Sequence, residues 1–125
     1  MELHGELRLD VVRAPALVGN ALGDPTERTL PVYVPPGYDA EGSRRYPTFY
    51  VLHAYGGNAA SAIAERPWET NVVQWIDRLI AQKKVAPSLL VVVDGWTRLG
   101  GSQYVNSIHN GDYATYAARD VVTHV

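Results

Sequence analysis

Two runs of large apolar residues without alternation, Phe49 to Leu52 (FYVL) and Leu89 to Val93 (LLVVV), constrain this chain most. A strand with one face in water alternates apolar and polar side chains, so unbroken runs are expected of strands buried on both faces of a largely parallel sheet. Between them, Thr70 to Lys84 repeats Val72, Ile76, Leu79 and Ile80 at helical spacing. Thr70 or Asn71 can cap that helix, and Lys83 and Lys84 suit the negative end of its dipole. Strand, helix, strand is therefore the predicted core, with both apolar runs at its centre.

Upstream, Glu6 to Val12 alternates, which puts Leu7, Leu9 and Val11 on one face of a half-buried strand. After the turn-rich stretch Pro15 to Glu27, alternation resumes over Arg28 to Val34 with Leu30, Val32 and Val34. Pro31 inside that strand predicts an edge position or an irregular pairing, because proline donates no ladder hydrogen bond. Downstream, Asp112 to Val125 sets Tyr113, Tyr116, Ala117, Val121 and Val125 on one helical face, with Asp112 as cap. The order predicts an α/β fold in which antiparallel leading strands precede a parallel core, in a single domain at 125 residues.

Composition removes several function classes. A formal net charge of −2, with 11 scattered Lys and Arg, lacks the basic footprint of nucleic-acid binding. With no cysteine there is no thiolate nucleophile, and His4, His53, His109 and His124 have no metal-ligand spacing, so neither metal nor cofactor is expected. No apolar run is long enough to span a membrane, and MELHGELRLD is not a secretory leader, which makes a cytoplasmic location the default expectation.

In open α/β sheets, ligands gather beyond the C-terminal ends of the parallel strands. Two loops belong there: His53-Ala54-Tyr55-Gly56-Gly57, and Asp94-Gly95-Trp96 with Gly100 to Ser107 behind it. A glycine-rich turn after a buried strand can aim backbone N–H groups at an anion, and with neither GxxxxGK[ST] nor GxGxxG present an acyl-transfer oxyanion fits better than a phosphate. The same letters also suit an ordinary tight turn with His53 satisfied by nearby backbone. Asp94 reads as a turn residue more readily than as an acid, and His109 as a loop histidine. Trp96 and Tyr104 either line a cleft or close over the core. Ser102 in GGSQY lacks the Gly-x-Ser-x-Gly pattern of a strained nucleophile turn and reads as a loop serine.

The ordered set ERTLPVYVPPGY (from Glu27), Tyr46-Pro47, VLHAYGG (from Val51), Asp94-Gly95 and YVNS (from Tyr104) resembles the front portion of a serine esterase family of the α/β-hydrolase superfamily. That family includes esterase D-like enzymes, S-formylglutathione hydrolase, enterochelin esterase, some feruloyl esterases and the mycolyltransferases. The resemblance implies that Tyr55 and Gly56 belong to an oxyanion hole, that Tyr104 and Asn106 lie on the substrate side, and that the substrate is a small-molecule ester. Ala54 stands where the family has glycine; if the backbone there needs a positive φ, alanine would strain the turn.

In the family the nucleophile elbow follows the helix that matches Asp112 to Val125, so residues 1–125 are expected to form a single incomplete domain that stops before its triad. The run Phe49 to Leu52 would then keep an open edge, which favours self-association, and the chain alone would hydrolyse no ester. The resulting reading is the N-terminal segment of a serine ester hydrolase. Its alternatives are a non-catalytic binding or interaction module, or an acyltransferase of the same family.

Overall fold

A computed structural model describes residues 1–125. Its centre is the run of highest apolar density. Leu89–Val93 forms β4, every residue of it buried, between β2 (Glu27–Val34) and β3 (Thr48–Leu52) in a four-stranded sheet of order β1-β2-β4-β3. β1 (Glu6–Arg13) pairs antiparallel with β2 along its full length, and β3 runs parallel to β4 from Thr48 opposite Leu89 to Leu52 opposite Val93. The antiparallel lead and parallel core read from the sequence are thus both present.

The connection from β3 to β4 carries a short helix, α1 (Ala59–Ala62), and the amphipathic α2 (Val72–Ala81). α2 starts where Asn71 accepts the Gln74 N–H and Gln74 reaches back to the Asn71 N–H, a reciprocal cap that satisfies two otherwise free donors. It packs Val73, Ile76 and Ile80 against Tyr33 and Leu90 on one sheet face. The opposite face is covered by α3 (Tyr113–Thr115), which continues through a π-helical stretch, Tyr116–Val121, into α4 (Val122–His124). Tyr113, Tyr116 and Val121 pack there with Leu30, Val32, Val91 and Val93. A small ribbon, β5 (Asn106–Ser107) with β6 (Gly111–Asp112), leads into that helix.

The structure corrects four sequence expectations and decides between the two open for Pro31. The Phe49 to Leu52 run has the open edge expected of it, since β3 is the sheet edge, but it is not buried on both faces: Phe49 and Leu52 are about half exposed, at 48% and 51%. Only Val51 of that strand reaches the α2 cluster. In β1 the inward residue is Val12, while Leu9 and Val11 face solvent. α2 covers only the Leu7 end of their face, and the C-terminal helix takes Val12 on the other. For Pro31 the second of the two expectations holds: β2 is an interior strand, but its pairing with β4 is irregular, a ladder of only Val32 and Tyr33 that begins after the proline. Asp112 makes no cap; Asn106 does, accepting the Thr115 N–H at 3.0 Å. Val125 is exposed, whereas Asp120 turns inward because its carboxylate accepts the Ala16 N–H at 2.9 Å.

Candidate active site

β3 and β4 end side by side, so the two loops singled out in the sequence meet at the C-terminal edge of the parallel pair. Within residues 54–57 the Gly57 N–H donates to the Ala54 carbonyl at 3.1 Å, closing a four-residue turn. The positive φ that such a turn requires at its third position falls on Gly56, at 85°. Ala54 is not in the left-handed region, so its methyl group is tolerated without strain.

His53 is held from both ends of its ring. The Gly95 N–H donates to Nε2 at 2.9 Å, and because that donor needs a lone pair, the ring proton sits on Nδ1, which is 2.9 Å from the Ala54 carbonyl. Nε2 is also 3.7 Å from Asp94 Oδ1, too far for a hydrogen bond. The reading of His53 as a residue satisfied by nearby backbone therefore describes its bonding.

Tyr55 carries the exposed part of the turn. Its ring lies against Gly100 and Gly101, where an added Cβ would come within 3.0 and 2.9 Å of ring atoms, and its hydroxyl donates to the Leu99 carbonyl. The Tyr55 N–H has no acceptor in the chain. Gly56 differs: its N–H is engaged by the Gly100 carbonyl at 2.7 Å, which ties the two loops together. Of the two donors that the resemblance points to, Tyr55 is the free one.

Tyr104 supports this arrangement from below. Its hydroxyl donates to the His53 carbonyl at 3.1 Å, and its ring meets the His53 ring edge-on at 5.8 Å. Burial, and then the negative charge of Asp94, push its phenol up to about 12 against the opposing effect of the His53 bond, so it remains a donor at neutral pH. Gln103 and Tyr104 are both left-handed, at φ of 54° and 53°, a conformation that costs about 1–2 kcal/mol per residue for side chains with a Cβ. The Tyr104 N–H to Ser102 Oγ bond and the hydroxyl contact hold that strained pair in place. Ser102 is buried and serves this loop.

Gly95 leaves room for the Tyr104 ring, since an added Cβ would lie 2.4 Å from Cε1. Gly95→Ala is accordingly expected to displace Tyr104 and destabilise the chain by about 1–3 kcal/mol. Loss of the near-ultraviolet tyrosine dichroism together with a lower urea midpoint would register both effects; an unchanged spectrum would refute the packing argument.

Asn106 is occupied elsewhere: its Nδ2 donates to Thr115 Oγ1 at 2.9 Å while its Oδ1 serves as the helix cap. It does not line the cavity of about 180 Å³ bounded by Ala54, Tyr55, Gly101, Gln103 and Tyr104. That cavity is smaller than the roughly 300–1,000 Å³ typical of small-molecule sites. Trp96 lines a separate cavity of about 350 Å³ with Leu9, Pro31 and Ile63, so Trp96 and Tyr104 do not form one binding surface. His109 is exposed on the turn of the ribbon.

Sequence reading missed Arg28. Its side chain is almost wholly buried and donates to the Pro25 carbonyl (2.9 Å), Asp94 Oδ2 (3.2 Å), the Trp96 carbonyl (2.8 Å) and the Tyr113 hydroxyl (2.7 Å). Asp94 in turn accepts the Ala59 N–H at 3.0 Å, at the start of α1. Asp94 thus ties its own loop to β2 through Arg28 and to the start of α1 through Ala59, a bracing role rather than that of a free acid. An arginine in an alternating strand carries no mark of burial; only its partners, far apart in sequence, reveal it.

No family model and no curated protein matches the chain. Solved structures do. A ferulic acid esterase superposes with a TM-score of 0.70 at 18% identity, over 98% of this chain and 44% of its own. A ferulic acid esterase from Anaeromyces mucronatus, solved with ferulic acid, superposes with a TM-score of 0.56 at 17% identity, over 100% and 40%. A feruloyl esterase module from Clostridium thermocellum, solved with sinapinate, gives 0.58 at 20% identity over 78% and 29%. The chain therefore spans less than half the length of each. At these identities the likeness concerns the fold alone, a mixed α/β arrangement shared with the matching part of those esterases.

Proposed function

We propose that this chain is the N-terminal segment of a serine carboxylic-ester hydrolase, and that its Tyr55 N–H is one of the donors for the oxyanion formed during acyl transfer. The unpaired Tyr55 N–H, on a glycine turn at the C-terminal end of a parallel strand, carries the reading. A donor without an internal partner at a ligand-gathering edge is what stabilisation of developing negative charge requires. No Gly-x-Ser-x-Gly occurs in residues 1–125, so the nucleophile is assigned to sequence beyond Val125, and this segment supplies one wall of the site. Esters of ferulate and sinapinate are the substrates to try first, because the similar folds include feruloyl esterases solved with ferulic acid and with sinapinate.

The test compares the 125-residue chain with the polypeptide encoded by the same reading frame continued past Val125. The chain alone is expected to leave p-nitrophenyl acetate and methyl ferulate intact, and the longer polypeptide to hydrolyse at least one of them, with loss of activity on treatment with a serine-directed fluorophosphonate. Inhibitor-sensitive hydrolysis by the chain alone, or a stop codon directly after Val125, would overturn the reading. Product analysis with a competing alcohol separates hydrolysis from acyl transfer.

A further inference from the structure

We infer that His53 is a positioning residue: through its Nδ1–H bond to the Ala54 carbonyl it sets the direction in which the Tyr55 N–H points. The inference rests on the reading of that N–H as an oxyanion donor, but its geometry stands independently. The Ala54 carbonyl and the Tyr55 N–H belong to one peptide unit, which is planar and trans, so the two bonds point in opposite directions. Whatever holds the carbonyl therefore aims the N–H. Two donors hold it, His53 Nδ1 at 2.9 Å and the Gly57 N–H at 3.1 Å.

The Gly57 bond closes the turn, and the Gly56 N–H, bound to the Gly100 carbonyl at 2.7 Å, fixes its central peptide unit; the first unit, which carries the Tyr55 N–H, has only the Gly57 bond from within the turn. The imidazole supplies the second constraint, and its own orientation is set from outside the turn. Gly95, on the neighbouring loop, donates to Nε2 and so forces the proton onto Nδ1, while the Tyr104 hydroxyl donates to the His53 carbonyl, at the peptide that leads into Ala54. With the proton on Nε2 instead, Nδ1 would turn a lone pair toward the Ala54 oxygen and Nε2–H would compete with the Gly95 N–H for the same space. The peptide would then lose its anchor. A glycine-rich turn is chosen for freedom, and a catalytic donor needs fixed direction; the histidine that precedes the turn reconciles the two.

Two substitutions separate the two ring nitrogens. The side-chain nitrogen of His53→Asn occupies nearly the place of Nδ1 and keeps a donor for the Ala54 carbonyl, whereas the oxygen of His53→Gln reaches the place of Nε2 and keeps only an acceptor for Gly95. Nitrogen-15 spectra of the unsubstituted chain are expected to show His53 protonated at Nδ1, with a scalar coupling across the hydrogen bond from the Gly95 nitrogen to Nε2. In a weakly aligned sample, the Tyr55 N–H dipolar coupling is expected to persist in His53→Asn and to change in His53→Gln, with the couplings of β4 unaltered in both. In the longer polypeptide, His53→Gln is expected to lower kcat by about 10²–10³ with little change in KM, and His53→Asn to retain most of it.

A ring protonated at Nε2 in the unsubstituted chain would overturn the inference even if neither variant folds, as would a Tyr55 coupling indifferent to both substitutions. Because the spectra need no hydrolysis, they decide the positioning role separately from the esterase reading, which the activity of the unsubstituted longer polypeptide decides.

Discussion

Replacing Arg28 with methionine is expected to cost this chain about 3–5 kcal/mol of folding free energy, the range observed when one member of a buried ion pair is removed. Arg28 and Asp94 form such a pair, with side chains 2% and 17% exposed. Methionine fills much of the same volume with apolar atoms, so the loss does not come from a cavity. It comes from what remains: the Pro25 and Trp96 carbonyls lose charge-assisted donors, and the Asp94 carboxylate keeps only the Ala59 N–H. Natural domains are stable by only about 5–15 kcal/mol, so a third or more of the total is at stake. With a urea dependence of about 1–3 kcal/mol per molar, the unfolding midpoint should fall by at least about 1 M. Arg28→Lys is expected to lie between the two, since an ammonium keeps the charge but cannot reach four acceptors in the guanidinium plane. A midpoint for Arg28→Met within a few tenths molar of the unsubstituted chain would show that this network contributes little.

The elements that were legible in the sequence are those whose cause is local. β4 announces itself because five consecutive aliphatic residues, bounded by Pro87-Ser88 and Asp94-Gly95, suit a strand buried on both faces, and α2 because its apolar spacing and its Asn71 cap agree. The failures share a different cause, which is that burial depends on what lies opposite. Phe49 and Leu52 are as apolar as β4, but residues 1–125 place nothing beyond the β3 edge. Alternation in β1 correctly marks a strand, yet Leu9 and Val12 are both apolar, and only the positions of the two helices decide which face is inward. At the site, the turn and its histidine were visible as letters, and the location of the positive φ was not. It fell on Gly56, which relieved Ala54 of the strain that the family pattern suggested. The roles that Arg28, Asn106 and Asp77 play carry no local mark, because each rests mainly on partners distant in sequence, such as Tyr113, Thr115 and Gly5, 85, 9 and 72 residues away.

Asp77 is the second residue on which the fold depends, and its contribution should depend on pH. It sits on the inner face of α2, and its carboxylate accepts four hydrogen bonds from the N-terminal segment and β2. Oδ2 takes the His4 N–H at 3.1 Å and His4 Nδ1 at 3.0 Å; Oδ1 takes the Gly5 N–H and the Tyr33 hydroxyl, both at 2.9 Å. Burial alone would raise this carboxyl, but the Gly5 and His4 N–H groups, then the His4 ring and the Tyr33 hydroxyl, outweigh it and hold it below the ordinary aspartate range. A carboxyl depressed by folding adds stability that is fully present above its unfolded value near 4 and is lost as pH falls through its folded value. Asp77→Asn keeps one acceptor oxygen but turns an NH₂ group toward the two His4 donors, so at pH 7 it should cost about 2–4 kcal/mol. The difference between the two proteins should stay constant from pH 7 to about pH 5 and narrow below about pH 4, where the carboxyl takes up its proton in the unsubstituted chain. Urea titrations at steps of half a pH unit from 7 to 2.5 would trace that convergence. Parallel stability curves over the whole range would mean that the acid sensitivity of this chain lies with other carboxylates, and that Asp77 holds α2 to the N-terminal segment and β2 as well when neutral as when charged.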